Sequence, residues 1–189
     1  MKQAASANDN KFKKIIKTLG DVFVPIIPAI VAGGLMMGLT ESINFCVNNG
    51  YLAIDTSASW YVFLTMFSNA AYIFLPILIG FSSANVFGGN QFLGAVIAMI
   101  MLHPDLQNAW TVASEGVLRN QSVWFGLYEI PMVAYQGHII PIVIAVYIMS
   151  FIENKLHKIV PEMIDLFVTP LVTVFTVSYT HLRAHETLR

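Results

Sequence analysis

The stretch WYVFLTMFSNAAYIFLPILIGF, residues 60–81, decides the fold class because it carries no charged side chain from end to end. It lies within a longer charge-free region that extends from Thr56 to Pro104. A helix of roughly 20 apolar residues crosses the hydrocarbon core of a bilayer, which is about 30 Å thick. Residues 60–81 therefore predict a membrane-spanning helix, with Trp60 and Tyr61 at the level of the lipid headgroups.

Two further stretches are similarly free of charge. Residues 22–39 carry none between Asp21 and Glu41, and residues 130–152 carry none before Glu153. In the whole chain of 189 residues, 56% are hydrophobic and 11% are charged, whereas about a quarter of the residues in a soluble domain are charged. A soluble fold of this composition would expose large apolar patches. We therefore predict an all-α integral membrane protein, built as a multi-span helical bundle.

The predicted membrane domain covers residues 21–180 and contains about five apolar segments. We place them at residues 22–42, 60–81, 92–102, 129–152 and 166–179. The third segment is too short to cross a bilayer alone and is expected to be a half-span. It follows a polar, glycine-containing break at residues 82–91. Because irregular backbone at membrane depth survives only against protein or a watery cavity, this break is predicted to line a pore.

The first 20 residues are predicted to be a cytoplasmic linker followed by an amphipathic basic helix. Residues 1–10 are polar and are expected to be disordered. Between residues 11 and 19, apolar side chains recur at helical spacing among lysines; they are Phe12, Ile15, Ile16 and Leu19, with Lys11, Lys13, Lys14 and Lys17. Such a helix can lie on an anionic membrane face, or it can be a lysine-rich juxtamembrane segment that only sets topology. Both interpretations remain open.

The distribution of lysines predicts the orientation in the membrane. Lysines precede the first apolar segment, and Lys155 and Lys158 follow the fourth, whereas the loop after the first segment has neither Lys nor Arg. Cytoplasmic loops carry an excess of Lys and Arg. The N-terminus is therefore predicted to be cytoplasmic, provided that the third segment crosses the membrane fully.

The final residues, HLRAHETLR at 181–189, change character abruptly and interrupt the fifth apolar segment. They resemble translated sequencing-adapter read-through, so we treat them as a non-native tail. His181 and His185 are spaced as two zinc ligands on a helix can be, but no third ligand with suitable spacing is evident. No metal site is predicted.

Other functional classes find no support in the sequence. The single cysteine, Cys46, permits no intrachain disulfide and no cysteine cluster for a metal. We find no Walker loop, no G-x-G-x-x-G fingerprint and no basic nucleic-acid face beyond the short N-terminal helix. No cofactor and no nucleic-acid partner are therefore predicted.

Polar residues within or beside apolar segments are the candidate site residues, because ionisable groups at membrane depth are costly and are often functional. His138 and Gln136 lie in the fourth segment, and Glu129 lies at its entrance. Each can hydrogen-bond the hydroxyl groups of a polar substrate, although a histidine can equally pair with a carbonyl freed by Pro141. On an ideal helix His138 points away from the other two, so Gly137 is expected to break the helix.

Asn90 and Gln91 are the second group of candidate substrate-binding residues. They lie in the polar break before the third segment, directly after Gly88 and Gly89. Exposed backbone and amide side chains at this point can meet a substrate. Packing between helices or between subunits is the alternative that remains open.

Four motifs carry a resemblance to a known family. They are DVFVPIIPAI (21–30), FGGNQFLG (87–94), HPDLQNAW (103–110) and WFGLYEIPMVAYQGH (124–138). The first resembles the opening span of EIIC subunits of the bacterial phosphotransferase system, in the glucose, sucrose and β-glucoside superfamily. The next two narrow the resemblance to the disaccharide branch. The last is similar to the trehalose-specific members, with the sucrose-specific members as near neighbours.

The resemblance implies a homodimeric transporter in the bacterial inner membrane. It would bind a disaccharide, most simply trehalose, and carry it inward for phosphorylation by a partner EIIB, which works with the phosphocarrier EIIA. Alternatives are a sucrose- or β-glucoside-specific EIIC, a carrier unrelated to phosphotransfer, and a non-transporting remnant.

Departures from the family pattern limit what the chain itself is expected to do. Cys46 lacks the Cys-x-x-Arg context of the phosphorylated EIIB cysteine, and no EIIB domain precedes the first span. The Gly-Ile-Thr-Glu motif of the second half of EIIC is absent. The chain is therefore expected to be the N-terminal half of an EIIC domain that neither accepts phosphate nor transports alone, so its assignment as an enzyme stays open.

Overall fold

The computed structural model describes residues 2–108, 111–112, 114, 116, 119–123, 128–134 and 138–184. The named helices are α1 Lys2–Phe23, α2 Ile27–Asn48, α3 Ser59–Ile73, α4 Leu75–Phe87, α5 Gln91–Met101, α6 Ile139–Leu156 and α7 Glu162–Ala184. A 3-10 turn, Val24–Ile26, joins α1 to α2. Strands β1 Asn120–Val123 and β2 Tyr128–Pro131 form an antiparallel hairpin.

Within the described residues, four helical stretches are long and apolar enough to cross a membrane. They are Lys13–Asn48, Ser59–Phe87, Ile139–Leu156 and Glu162–Thr180. These stretches confirm the predicted multi-span helical bundle. Helix α5 has only 11 residues and is about 16 Å long at 1.5 Å per residue. As a helix it reaches only about halfway through the hydrocarbon core, as the short third segment predicted.

Helices α4, α5 and α6 form the centre of the bundle. Their fully buried side chains include Ile79 on α4, Ile97 on α5, and Ile142 and Met149 on α6. Many large apolar side chains on the outer helices are exposed instead, among them Phe63 and Phe67 on α3 and Leu171 and Phe175 on α7. An apolar exterior of this kind suits a bilayer and would be unfavourable in water.

Two glycines allow α4 and α5 to pack closely. A Cβ atom added at Gly94 would overlap the backbone carbonyl of Gly80 and the side chain of Ala84, and one added at Gly80 would overlap Gly94 and Ala98 in turn. Small residues let helix backbones approach each other in membranes, where dispersion contacts contribute much of the association energy. The close packing of α4 on α5 therefore depends on the absence of a side chain at both positions.

Helix directions place the basic residues at one end of the bundle. The Ser82 hydroxyl near the end of α4 donates to the carbonyl of Val22 near the end of α1 at 2.7 Å. The Asn154 amide near the end of α6 donates to the carbonyl of Gly88 after α4 at 3.1 Å. We call this the lysine-bearing end; its lysines are Lys13, Lys14, Lys17, Lys155 and Lys158. Helix α5 starts there and runs back into the bundle, but its 11 residues do not cross a bilayer as a helix, so the full crossing that the orientation argument requires stays a prediction.

The fourth membrane helix begins later than the sequence predicted. We expected it from residue 129, but α6 starts at Ile139, and Glu129 lies in β2 opposite Ser122. The extended segment pairs with Gln107 through backbone hydrogen bonds that a helix would not make. The N–H of Gln107 donates to the carbonyl of Met132, and the carbonyl of Gln107 accepts from the N–H of Ala134. This pairing explains why residues 128–134 are extended.

Both chain ends also differ from expectation. Helix α1 already begins at Lys2, where disorder was expected; the alanine, lysine and glutamine there are good helix formers. Helix α7 continues to Ala184, so the first part of the predicted tail prolongs the helix rather than ending it. Residues 185–189 lie outside the described residues, and the foreign origin of 181–189 stays a prediction.

We predict that Gly94→Ala lowers the free energy of unfolding by about 1–3 kcal/mol, the usual effect of forcing an extra group into a packed interface. The matched control is Gly38→Ala on α2, where an added Cβ meets nothing within 4 Å. The free energy of unfolding of that variant should stay unchanged or rise by up to about 1 kcal/mol, because alanine has the higher helix propensity. Reversible unfolding of the detergent-solubilised protein, followed by circular dichroism, measures both. Equal effects of the two variants would contradict the close packing of α4 on α5.

Candidate functional site

The turn between α4 and α5 is closed by local hydrogen bonds. Gly88 ends α4 in the left-handed conformation, with φ 72°. Asn90 is the N-cap of α5, and its side-chain oxygen accepts from the backbone N–H of Phe92 at 2.9 Å and of Leu93 at 3.3 Å. The Gln91 side-chain amide donates to the side-chain oxygen of Asn85 at 2.7 Å. The polar break predicted from sequence is thus an ordered, capped turn.

Helix α6 meets this turn through its last two turns. The Glu153 carboxylate accepts from the backbone N–H of Asn90 at 2.8 Å, although only 4% of the residue is exposed. Asn154 binds the Gly88 carbonyl on one side of the contact. On the other side, a Cβ atom at Gly89 would overlap the Ser150 hydroxyl and the Glu153 carboxylate. Glycine at position 89 is therefore needed for the turn to sit on α6.

The Glu153 carboxylate lies where a negative charge is unfavourable, so it needs a stabilising partner. It lies near the C-terminus of α6, where the helix dipole disfavours a negative charge, and it is buried, where an unpaired polar group is costly. The positive N-terminus of α5 supplies the compensation, because Asn90 directs its N–H at the carboxylate. The start of α5 and the end of α6 are thereby held together.

The contact continues to α7 through a histidine. His157 Nε2 lies 3.8 Å from Glu153 Oε1, and His157 Nδ1 lies 2.6 Å from Asp165 Oδ2. The hydroxyl of the buried Thr169 then donates to Asp165 Oδ1 at 2.5 Å. We call Asn90, Glu153, His157, Asp165 and Thr169 the Glu153 network. It joins α5, α6 and α7 at the lysine-bearing end.

The chemistry available to the network is hydrogen bonding and proton exchange. The His157 side chain is 45% exposed, whereas Glu153 beside it is 6% exposed, so the ring connects a buried carboxylate with the surface. A doubly protonated ring can donate from Nδ1 to Asp165 and place its positive charge 3.8 Å from the Glu153 carboxylate. Over the described part of the chain, no group of three or more His, Cys, Asp or Glu residues is arranged to hold a metal ion.

The structure separates the residues that the sequence marked as a substrate site. Asn90 and Gln91 lie at the lysine-bearing end, where they shape the α4–α5 turn. His138 is the exposed N-cap of α6, about 22 Å from Glu153 along the helix. Glu129 contributes backbone to β2, its side chain is not among those described, and Gln136 lies outside the described residues. Substrate binding by these residues stays a prediction.

Sequence reasoning missed Glu153, His157 and Asp165. Glu153 and His157 are four residues apart, which places them on one face of a helix. A glutamate in the last turns of a helix also opposes the dipole, and these two signals together mark it as a residue with a specific partner. The partner itself is a backbone N–H, which has no signature in the sequence.

Comparison with known proteins assigns the family. The model of the family described as "Phosphotransferase system, EIIC" matches residues 20–182, which include the α4–α5 turn and the whole Glu153 network. The chain belongs to the EIIC family of the phosphotransferase system. It is therefore a membrane protein by family as well as by composition.

Several curated relatives of the EIIC chain are similar over most of its length. The sucrose-specific EIIBC component of Klebsiella pneumoniae is 46% identical over 165 residues, which are 87% of this chain and 34% of that protein. The sucrose-specific EIIBC component of Bacillus subtilis is 45% identical over 93% of this chain and 36% of that protein. The trehalose-specific EIIBC component of Bacillus subtilis is 37% identical over 95% and 39%.

The chain thus spans between a third and two fifths of the length of these relatives. No solved structure matches it.

We predict that Glu153→Ala loosens the α4–α5 turn, because it removes the charged acceptor of the Asn90 N–H, and a hydrogen bond to a charged group contributes about 1.5–3 kcal/mol. Hydrogen–deuterium exchange of peptides that cover residues 85–95 should accelerate by about one to two orders of magnitude. Glu162→Ala at the exposed start of α7 is the matched control and should leave these peptides unchanged. Unaltered exchange in the Glu153 variant would contradict the role assigned to the carboxylate.

Proposed function

We propose that this chain forms part of the sugar-conducting EIIC domain of a phosphotransferase system in the bacterial cytoplasmic membrane. In this role it helps to bind a disaccharide and to carry it inward for phosphorylation. The observation that carries the proposal is the family match over residues 20–182, on a chain whose helices are long and apolar enough to cross a membrane. A carrier unrelated to phosphotransfer would leave this match unexplained.

Sucrose is the better-supported substrate within this proposal. The motif at residues 124–138 suggests trehalose by resemblance. The sucrose-specific relatives from Klebsiella pneumoniae and Bacillus subtilis, however, are 46% and 45% identical to the chain, whereas the trehalose-specific relative is 37% identical. Both are disaccharides, so the substrate class is the same, and trehalose remains the second candidate.

An EIIB domain is the proposed phosphate donor, since the names of the relatives join EIIB and EIIC in one component. We place the lysine-bearing end in the cytoplasm, because cytoplasmic segments are rich in Lys and Arg. EIIB would then act at the end that holds the Glu153 network. EIIA as the upstream carrier and a homodimeric assembly complete the proposal by analogy with the family.

The separation of the candidate sugar contacts fits transport better than a single closed pocket. His138 and Glu129 precede or begin α6 at the end of the bundle that would face outward, whereas Asn90 and Gln91 belong to the cytoplasmic end. We propose that the two groups contact the sugar at different stages of its passage. Each group offers the hydrogen-bond donors and acceptors that sugar hydroxyls require.

Two chimeras test the proposed function and its specificity. Residues 20–180 replace the matching segment in the sucrose-specific relative of Klebsiella pneumoniae and in the trehalose-specific relative of Bacillus subtilis. We expect phosphoenolpyruvate-dependent phosphorylation of radiolabelled sucrose by membranes that carry the first chimera. The second should phosphorylate trehalose at least tenfold more slowly than its parent, which corresponds to about 1.4 kcal/mol.

The unmodified parents are the controls for expression and for assay, with membrane levels measured by immunoblot. Activity of the trehalose chimera alone would move the substrate assignment back to trehalose. If both chimeras reach the membrane at parental levels and neither phosphorylates its sugar, the proposed EIIC activity of this segment is wrong.

A further inference from the structure

A groove of about 800 Å³ opens between α1, α4 and α6 at the lysine-bearing end. Apolar and aromatic side chains from the three helices form its walls; they are Ile15, Leu19, Val86, Phe87, Val143, Ile144 and Tyr147. The rings of Phe87 and Tyr147 pack edge to face, with centroids 5.2 Å apart. The groove thus has a fixed apolar wall that joins α4 to α6.

The mouth of this groove is basic. Lys14 and Thr18 line it, and Lys13 and Lys17 are exposed on the same helix. Residues 10–20 contain no acidic residue. Asp21, which also borders the groove, lies about 10 Å further along the helix from Lys14. Positive charge therefore stands at the outer end of the groove, and the lining further inward is apolar except for Asp21.

Charge and lining together select the chemistry of the occupant. A free phosphate or a sugar phosphate would match the lysines but would leave the apolar walls in contact with polar groups. An apolar helix would match the walls but would leave Lys14 without a counter-charge. A molecule with an anionic head and a long hydrocarbon chain satisfies both, and basic pockets between membrane helices are known to take acidic lipid headgroups.

We propose that the groove binds one anionic phospholipid. Its phosphate lies against the Lys14 ammonium at the membrane interface, and an acyl chain extends along Leu19, Phe87 and Ile144. Because the lipid contacts α1 and α6 at once, it holds the amphipathic start of α1 against the bundle. The sequence left two interpretations of the lysine-rich segment open: a helix on an anionic membrane face, or a segment that only sets topology. The proposed lipid contact favours the first.

Native mass spectrometry of the chain tests the proposal. The protein is released from nanodiscs that contain equal amounts of phosphatidylglycerol and phosphatidylcholine, and the retained lipids are counted. We expect one phosphatidylglycerol to be retained in preference to phosphatidylcholine. Lys14→Gln should lower its affinity about fivefold, the change expected when one basic contact worth about 1 kcal/mol is removed.

Two further variants separate a built site from general surface charge. Lys158→Gln removes the same charge at the same end, but Lys158 does not line the groove, so it should leave retention unchanged. Ile144→Trp fills the groove and should abolish preferential retention, while the circular dichroism spectrum stays that of the parent. Equal retention of the two lipids, equal effects of Lys14→Gln and Lys158→Gln, or a parent chain that retains no lipid would each overturn the proposal.

Discussion

The Glu153 carboxylate accepts the backbone N–H of Asn90 at the point where α6 ends and α5 begins. In a protein whose exterior faces hydrocarbon, a buried carboxylate must find its donors within the protein, because the lipid offers none. The remaining geometry at this end follows from that requirement. The backbone of the α4–α5 turn must contact α6 directly, and this contact requires glycine at position 89 because a side chain there would overlap α6. Helix α7 is then attached through His157 and Asp165.

The two ends of the bundle are built differently. At the lysine-bearing end, helix termini are fixed by capping, by buried polar contacts and by a groove with a basic mouth. At the other end, a β-hairpin and the extended segment around Gln107 and Met132 connect α5 to α6. For a protein proposed to pass sugars inward, this asymmetry places the capped turn and the buried polar contacts on the side where phosphorylation is proposed to occur. Exposed apolar residues on α7, such as Phe175, still require lipid or protein cover.

Hydropathy was sufficient to predict the bundle because membrane spans are specified by length and the absence of charge, which residues 60–81 display directly. The brevity of α5 was predictable for the same reason. The start of α6 was not, since residues 130–134 belong to the charge-free stretch that continues into the helix, and their extended form depends on pairing with β1 and Gln107. In the candidate site, Asn90 was found because glycine and amide residues interrupt an apolar run. Glu153 was missed because its partner lies 63 residues away and is a backbone group.

The most direct test of this account is the sidedness of three positions, probed with a membrane-impermeant maleimide on intact and inverted membranes. Single cysteines replace Asn85 near the α4–α5 turn, Lys158 after α6 and Tyr51 after α2, in a chain whose native Cys46 is changed to serine. If the turn docks on the end of α6, positions 85 and 158 react from the same side, and position 51, which is 74% exposed beyond the far end of α2, reacts from the other. Reaction of positions 85 and 158 from opposite sides would contradict the contact between Glu153 and Asn90 on which the account depends.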